Sequence, residues 1–366
     1  MSDFTKMNLP APIEQALEAM NFQTPTPIQA KAIPVALSNR DLIGCAQTGT
    51  GKTAAFSIPL IIRLLNAPRK SALILAPTRE LAEQISHILE KLTIATPGIT
   101  SALLIGGASM QQQLRMLARK PRIIVATPGR LLDHLHRGSA MLWTSEILVL
   151  DEADRMLDMG FAPQLDEIRR YLPGSRQTML FSATIPDNIL RLAEKFLKDP
   201  VRINVGAVSQ PVKEVKQSMV QTTGAAKNDV LLDELDVRKG SVLIFTRTKR
   251  RTDRLARHLA RFGHSVAHIH GDRSQSQRDH AIQGFRSGVY RILVATDIAA
   301  RGLDIPHIAH VINYDMPHVP EDYVHRIGRT ARAGAEGESL CLVIPEDLSQ
   351  WRRISHMYAT PRHSHQ

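Results

Sequence analysis

Short apolar runs alternate with amphipathic stretches along most of this chain, and this alternation restricts the fold more than any other feature of the sequence. The apolar runs of the first half are Asp41–Cys45, Ala72–Leu75, Ala102–Ile105, Ile123–Val125, Ile147–Leu150 and Met179–Phe181. The stretches between them, such as Arg79–Thr93 and Met110–Ala118, have the periodicity of amphipathic helices. Strands that alternate with helices predict a parallel sheet with helices on both faces.

The second half repeats this pattern. Its apolar runs are Val242–Phe245, Ser265–Ile269, Ile292–Ala295, His310–Asn313 and Leu340–Ile344. Between the halves, residues 206–216 contain Gly, Ser and Pro and have no apolar periodicity. We therefore predict an α/β chain with domains at 1–205 and 217–349, a flexible linker at 206–216 and a short, frayed basic tail at 350–366.

Charge and cysteine content restrict the class of partner and the compartment. The formal net charge is +11, divided almost evenly between the two halves, which favours a polyanion such as nucleic acid. The two cysteines, Cys45 and Cys341, exclude a disulfide framework and a cysteine-rich zinc site and are typical of a reducing compartment. No apolar run reaches the ~18 residues of a membrane span. We expect a cytoplasmic protein without a membrane partner.

A glycine-rich segment lies between the first predicted strand and the helical run Ala54–Leu65. It consists of Ala46, Gln47, Thr48, Gly49, Thr50, Gly51, Lys52 and Thr53. Glycines let backbone N–H groups curl around phosphates, and the N-terminus of the following helix adds a favourable dipole. This pattern predicts a nucleotide site in which Lys52 contacts the β- and γ-phosphates and Thr53 places its hydroxyl on Mg²⁺.

Two carboxylates follow the apolar run Ile147–Leu150, at the end of a predicted strand. Asp151 is expected to hold Mg²⁺ through water, and Glu152 to orient and deprotonate an attacking water. The alternative is the ordinary acidic first turn of a helix. Together with the glycine-rich segment, the pair predicts nucleoside triphosphate hydrolysis.

A positive charge for the transition state is present in the second half. Arg326, Arg329 and Arg332 recur every three residues, which predicts that they lie near one side of a helical turn. The alternative is a basic helix that faces RNA or solvent.

The motifs together resemble those of the DEAD-box RNA helicases of superfamily 2, from about Phe4 to Ile344. The matching stretches are Phe22–Gln29, Ala46–Thr53, Pro77–Leu81, Gly106–Gly107, Thr127–Arg130, Asp151–Asp154, Ser182–Thr184, Leu243–Arg247, Gln275–Arg278, Ala295–Asp304 and His325–Arg332. Ala331 stands where many members have Gly. The resemblance implies two tandem RecA-like domains, ATP and Mg²⁺ as cofactors, and an RNA-stimulated ATPase.

The resemblance also implies roles for single residues. Gln29 would read adenine with help from Thr24, and Phe22 would stack on the ring. Asp304 would contact the ribose, and Arg329 and Arg332, rather than Arg326, would be the arginine fingers. Coupling of hydrolysis to strand separation would involve Asp154, Ser182, Thr184 and His325. We expect Asp154 to contact one of the other three rather than the nucleotide.

For RNA, the resemblance implies contacts to the sugar–phosphate backbone of single strands and short duplexes, with little sequence specificity. In the first domain these residues are Thr78, Arg79, Gly107, Thr127, Pro128 and Arg130. In the second domain they are Thr246, Arg247, Gln275, Arg278, Thr296, Arg301 and Gly302. We expect a monomer with a general role in RNA decay, ribosome assembly or cold adaptation, and with ribosomal or RNA-decay proteins as partners.

The expected mechanism is a clamp that ATP closes on single-stranded RNA and that hydrolysis reopens. Two other classes remain: a superfamily 2 DNA translocase, and a binding protein without turnover. The Phe22–Gln29 stretch and the Asp151–Asp154 sequence favour the RNA enzyme over the translocase, and Lys52 with Glu152 favours an enzyme over a binding protein.

A basic run falls outside these motifs. Its members are Arg247, Lys249, Arg250, Arg251, Arg254, Arg257 and Arg261. On a helix, Arg250, Arg254, Arg257 and Arg261 would share one face, with Leu255 and Leu259 pointing inward. Two interpretations are open: a solvated helix face, or an additional strip that anchors duplex RNA.

Overall fold

The computed structural model describes residues 4–46, 49–205, 215–300, 308–317, 320–330 and 337–358. The chain divides into two compact units, which we call unit 1 (residues 1–208) and unit 2 (residues 209–366). Among the helices of the described ranges, none is both long and apolar enough to cross a membrane.

The described part of unit 1 contains one parallel sheet of seven strands in the order β3-β4-β2-β5-β6-β1-β7. The strands are β1 (Leu42–Cys45), β2 (Ser71–Leu75), β3 (Ser101–Leu104), β4 (Ile123–Ala126), β5 (Ser145–Leu150), β6 (Gln177–Ser182) and β7 (Val201–Asn204). The helices are α1 (Ala11–Ala19), α2 (Pro27–Leu37), α3 (Lys52–Asn66), α4 (Arg79–Leu92), α5 (Met110–Ala118), α6 (Pro128–His136), α7 (Ala153–Asp158), α8 (Ala162–Arg169) and α9 (Asp187–Phe196), preceded by a 3₁₀ turn at Phe4–Met7.

Both faces of this sheet are covered, as the alternation of apolar runs predicts. Successive side chains of a strand point to opposite faces. On β2, Ala72 and Ile74 belong to one apolar cluster, whereas Leu73 and Leu75 belong to another. The strand is therefore buried on both sides, which is why it reads as a continuous apolar run.

Unit 2 has the same architecture, with six described strands in the order β10-β11-β9-β12-β13-β8, all parallel. They are β8 (Val215–Gln221), β9 (Val242–Thr246), β10 (Val266–Ile269), β11 (Ile292–Thr296), β12 (His310–Asn313) and β13 (Gly337–Val343). The helices are α10 (Lys227–Val237), α11 (Lys249–Arg261), α12 (Gln275–Arg286), α13 (Asp297–Ala300), α14 (Pro320–Ile327) and α15 (Leu348–Tyr358), with a 3₁₀ turn at Pro345–Asp347.

Two strands were not predicted, and both are edge strands. In β7 only Ile203 is buried, and in β8 only Val215 is. An edge strand whose side chains are mostly exposed lacks the apolar run that identifies a central strand. Because β8 begins at Val215, the predicted linker extends two residues too far, to Lys216.

The C-terminal segment also differs from the predicted frayed tail. Helix α15 begins at Leu348 and crosses the predicted boundary at 349, and its Ile354 is fully buried. The ring of Trp351 packs edge-on against Tyr323, with 6.2 Å between the ring centroids. The sequence of this amphipathic helix is basic and contains histidines, which is why it was predicted to be a frayed tail.

Candidate active site

The strand order of unit 1 divides the carboxyl edge of the sheet into two contiguous parts. Strands β5, β6 and β1 are neighbours, and the phosphate loop, the acid pair Asp151–Glu152 and the coupling residues of unit 1 lie at or just after their ends. Strands β3, β4 and β2 are also neighbours, and the residues predicted for RNA follow them. The parts meet where the Asp151 N–H donates to the carbonyl of Leu75 at 3.0 Å. One sheet edge thus carries both sets side by side.

The glycine-rich segment has the backbone that a phosphate loop requires. Gly49 and Gly51 have φ of +86° and +88°, in the left-handed region that residues with a Cβ rarely adopt. Lys52 is buried at the first position of α3, and its ammonium donates to the carbonyl of Ala46 at 2.7 Å. The lysine and the N-terminus of a 15-residue helix together favour an anion here. Gln47 and Thr48 lie outside the described residues.

Gln29, which was predicted to recognise adenine, also supports the phosphate loop. The sequence did not predict this second role. The amide nitrogen of Gln29 donates to the carbonyl of Gly51 at 3.1 Å, and its oxygen accepts from the Thr26 N–H at 2.9 Å. Gln29 is buried, and it still has one N–H and one lone pair for an adenine edge. Phe22 packs against the core of unit 1, and Thr24 is exposed.

Asp151 and Glu152 are both buried at the end of β5. Burial raises the pKa of the Asp151 carboxyl from its usual 3.8 to about 7; Lys52 opposes this rise and Glu152 adds to it. A buried carboxylate with so little compensation is suited to a hard divalent cation. Thr53 at the start of α3 adds a hydroxyl oxygen, and oxygen ligands are those that Mg²⁺ prefers.

Glu152 has a backbone conformation and a partner that the sequence did not predict. Its φ of +51° and ψ of +53° place a non-glycine residue in the left-handed region, before α7. Its carboxylate forms a buried ion pair with the guanidinium of Arg155. In the sequence, only the three-residue spacing of Glu152 and Arg155 at the start of a helix could have indicated this ion pair.

Asp154 joins β5 to the segment after β6. Its Oδ2 accepts from the backbone N–H groups of Ala183 and Thr184 at 3.1 Å each, and from the Thr184 hydroxyl at 3.2 Å. The predicted contact between Asp154 and Thr184 is therefore present. The hydroxyl of Ser182 is buried and has no hydrogen-bond partner within the described residues.

The residues predicted for RNA in unit 1 also lie together. Thr78 caps α4, since its hydroxyl accepts from the Leu81 N–H at 3.3 Å. The Arg79 guanidinium lies against Gly107, whose φ is +81°, and a Cβ at this glycine would overlap it. Arg130 donates to the carbonyl of Ala108 at 3.3 Å. Thr127 and Pro128 begin α6 directly after β4.

Unit 2 repeats the arrangement, since β10, β11 and β9 are neighbours and precede the residues predicted for RNA. Thr246 is fully buried and its hydroxyl is 2.6 Å from that of Thr252, so its side chain is engaged inside unit 2. The Arg247 N–H donates to the Asp315 carboxylate at 2.8 Å. The remaining predicted residues are Thr296 at the end of β11, Gln275 and Arg278 in α12, and Arg301 and Gly302, which lie outside the described residues.

Arg326 and Arg329 do not lie on one helix, because α14 ends at Ile327. Arg326 is almost fully buried and forms a bidentate ion pair with Asp297, at 2.6 and 2.7 Å. It also donates to the Asn313 side chain at 2.9 Å. Arg326 is therefore a structural residue of unit 2 rather than a basic residue that faces solvent.

Arg329 lies two residues beyond α14 and is buried, and its N–H donates to the carbonyl of Arg326 at 3.1 Å. Arg332 and Asp304 lie outside the described residues. The backbone of His325 lies in α14, but the placement of its side chain is not described.

Comparisons with known proteins find matches in both units. Residues 26–192 match the family model described as DEAD/DEAH box helicase, and residues 226–334 match that described as helicase conserved C-terminal domain. The chain is 44% identical to a DEAD-box ATP-dependent RNA helicase, CshA, of Geobacillus kaustophilus, over 97% of this chain and 76% of that one. It is 46% identical to an ATP-dependent rRNA helicase, RRP3, of Candida albicans, over 96% and 66%.

Among solved structures, Saccharomyces cerevisiae Dbp5 bound to RNA and ADP BeF3 is similar with a TM-score of 0.88. The sequence identity is 34%, and the match covers 98% of this chain and 94% of that one.

Proposed function

Because this chain belongs to the DEAD/DEAH box helicase family, we propose that it is an ATP-dependent RNA helicase that separates short duplexes. The observation that carries the proposal is the carboxyl edge of unit 1, where a phosphate loop and a buried acid pair adjoin residues suited to an RNA backbone. The names of its relatives, which describe ATP-dependent RNA helicases, support the same activity.

In the proposed ATP site, Gln29 and Phe22 hold adenine while the phosphate loop holds the phosphates. Lys52 neutralises charge on the transferred phosphoryl group. Mg²⁺, when bound near Thr53 and Asp151, supplies further charge neutralisation. Glu152 orients the attacking water and accepts its proton. The ion pair of Glu152 with Arg155 has to loosen before that proton transfer, because a paired carboxylate is a weaker base.

The clamp that we propose divides the chemistry between the units. Unit 1 supplies the phosphate loop and the acid pair, and unit 2 supplies Arg329 and Arg332 as fingers, with Asp304 on the ribose. ATP and RNA would each favour closure, so each would raise the affinity for the other. Residues 206–216 would act as the linker, and Asp154, Thr184, Ser182 and His325 would couple hydrolysis to release of RNA.

Turnover of Glu152→Gln tests this proposal. The variant is expected to bind ATP and RNA with affinities near those of the wild type, and to lose at least about 100-fold in RNA-stimulated ATP hydrolysis, the usual scale for a general base. Glu90→Gln, on the exposed side of α4, is the matched control and should hydrolyse ATP normally. Normal turnover of Glu152→Gln would exclude Glu152 as the base.

The DNA translocase is tested by the nucleic acid that stimulates hydrolysis. Backbone contacts alone distinguish RNA from DNA only through the 2′-OH. Single-stranded RNA should stimulate ATP hydrolysis and single-stranded DNA of the same sequence should not; stimulation by DNA alone would favour the translocase. A monomeric state, a cytoplasmic location and ribosomal or RNA-decay partners stay predictions.

A further inference from the structure

Helix α11 presents a row of arginines on its outer face. The row consists of Arg250, Arg254, Arg257 and Arg261, all exposed, on the side opposite the buried Leu255 and Leu259. The spacing of four, three and four residues keeps the row on one helix face. At a rise of 1.5 Å per residue, the row is about 16 Å long.

No carboxylate compensates this row within the described part of the chain. None of the four guanidinium groups forms an ion pair there, and the Arg257 side chain donates only to a backbone carbonyl, that of Asp253, at 3.3 Å. The sole acidic residue of α11 is Asp253, whose Oδ1 lies 2.8 Å from the Nε2 of His270 and 3.1 Å from that of His268. Its negative charge is thus directed towards β10 instead of the arginines.

The tautomer of His270 keeps Asp253 in this position. The Nδ1 of His270 accepts from the Asp272 N–H at 3.3 Å, so its proton is on Nε2 and is donated to Asp253. The contacts of Asp253 with both imidazoles thus hold its carboxylate against the end of β10. Burial lowers the pKa of His268, and the nearby Arg273 lowers it further.

The row begins beside the residues of unit 2 that are proposed to bind RNA. Helix α11 starts three residues after the end of β9 and packs on β10 and β11. At its first residue, Lys249 forms an ion pair with Asp272, in the loop that leads to Gln275. From this edge the row continues along the sheet towards the amino ends of the strands, so a polyanion that leaves the edge meets it next.

We propose that the arginine row of α11 binds the phosphate backbone of duplex RNA that flanks the single strand held at the sheet edge. This inference rests on the proposed RNA helicase function. A duplex has one phosphate per about 1.7 Å of its axis when both strands are counted, so a row about 16 Å long faces several phosphates. Such contacts position the duplex without reading its sequence.

The salt dependence of RNA affinity tests the row. The double variant Arg254→Gln/Arg257→Gln is compared with the wild type on a duplex with a single-stranded overhang and on the overhang strand alone, by fluorescence anisotropy. Loss of two phosphate contacts makes the negative slope of log affinity against log salt less steep by about 1.8 on the duplex substrate. Binding of the single strand and ATP hydrolysis at saturating single strand are expected to stay unchanged.

The matched control is Arg352→Gln/Arg353→Gln, which removes the same charge from exposed positions of α15. An unchanged duplex slope for the α11 variant overturns the proposal, and so does an equal decrease in the control, which would reflect net charge alone. Failure of RNA to stimulate wild-type ATP hydrolysis would instead refute the helicase function.

Discussion

Asp151 and Asp154 are separated by two residues, yet substitution by asparagine should change stability in opposite directions. Asp151 is buried, and burial raises the pKa of its carboxyl from 3.8 to about 7. A carboxylate with a raised pKa destabilises the folded state once it ionises. The cost is absent below the unfolded pKa, grows as pH rises, and is complete above the folded pKa. At about 1.4 kcal/mol per pKa unit, it approaches about 4 kcal/mol at pH 8.

Asp151→Asn removes this charge and keeps the oxygen that accepts from the Glu152 N–H at 3.0 Å. Some of the gain is lost because Lys52 loses a counter-charge. Without Mg²⁺, we expect the variant to raise the free energy of unfolding by about 2–4 kcal/mol at pH 8 and by less than half of that at pH 5. The same variant should lose ATP hydrolysis, since it removes the carboxylate that we propose to hold Mg²⁺.

Asp154→Asn should destabilise the protein instead. The Asp154 carboxylate accepts from Ala183, Thr184 and the Arg155 N–H, so both of its oxygens face donors. An asparagine directs its NH₂ group at one set of donors in either orientation. The loss of charge-assisted hydrogen bonds and the unsatisfied donors cost about 2–4 kcal/mol.

Hydrogen exchange of peptides from β5 and β6 measures both variants on the full chain, because these strands report on unit 1 alone. The measurement is made with a chelator at pH 5 and pH 8, with each rate corrected for its intrinsic dependence on pH. Two results would refute the reasoning: equal destabilisation by the two substitutions, or an effect of Asp151→Asn that does not change with pH. Either result would mean that neighbouring groups already balance the negative charge of Asp151 without a metal ion.

Three further predictions follow from single contacts. Gly51→Ala should weaken binding of ATP analogues at least about tenfold in calorimetry, because φ is +88° and the new Cβ would lie 2.5 Å from the Gln29 amide. Arg326→Met should lower the free energy of unfolding of unit 2 by about 2–4 kcal/mol in denaturant titrations, since it leaves the partly buried Asp297 without its partner. Burial raises the pKa of the Cys341 thiol from 9.0 to about 12, so stability should fall as pH rises above 9, and Cys341→Ala should remove about 2 kcal/mol of that loss at pH 10.5 in thermal unfolding.

The architecture could be predicted from sequence wherever burial produced a pattern. Central strands such as β2 and β9 are buried on both faces, and their apolar runs identify them directly. The edge strands β7 and β8 were not predicted because most of their side chains are exposed, so they lack a continuous apolar run. Helix α15 was not predicted because its buried face is short and because its basic composition suggested a frayed tail.

At the candidate site, sequence reasoning identified residue types but not their internal partners. Nothing in the spacing of Gln29 and Gly51 shows that they are hydrogen-bonded, because the contact depends on how α2 packs beside the phosphate loop. The same holds for Arg326, whose partner Asp297 is distant in sequence and follows a different strand. Long-range contacts depend on sheet order, which no local pattern contains.

The sheet order of unit 1 gives the segment after β5 a direct connection to both parts of the edge. Strand β5 lies between β2 and β6. Asp151 is bonded through its backbone to the end of β2, beside the residues proposed for RNA, and Asp154 is bonded to the segment after β6. Glu152 lies between these two attachments in a left-handed backbone conformation that costs about 1–3 kcal/mol to maintain. A displacement at either attachment would therefore change the position of the proposed base, and in the proposed clamp this is how bound RNA would control hydrolysis.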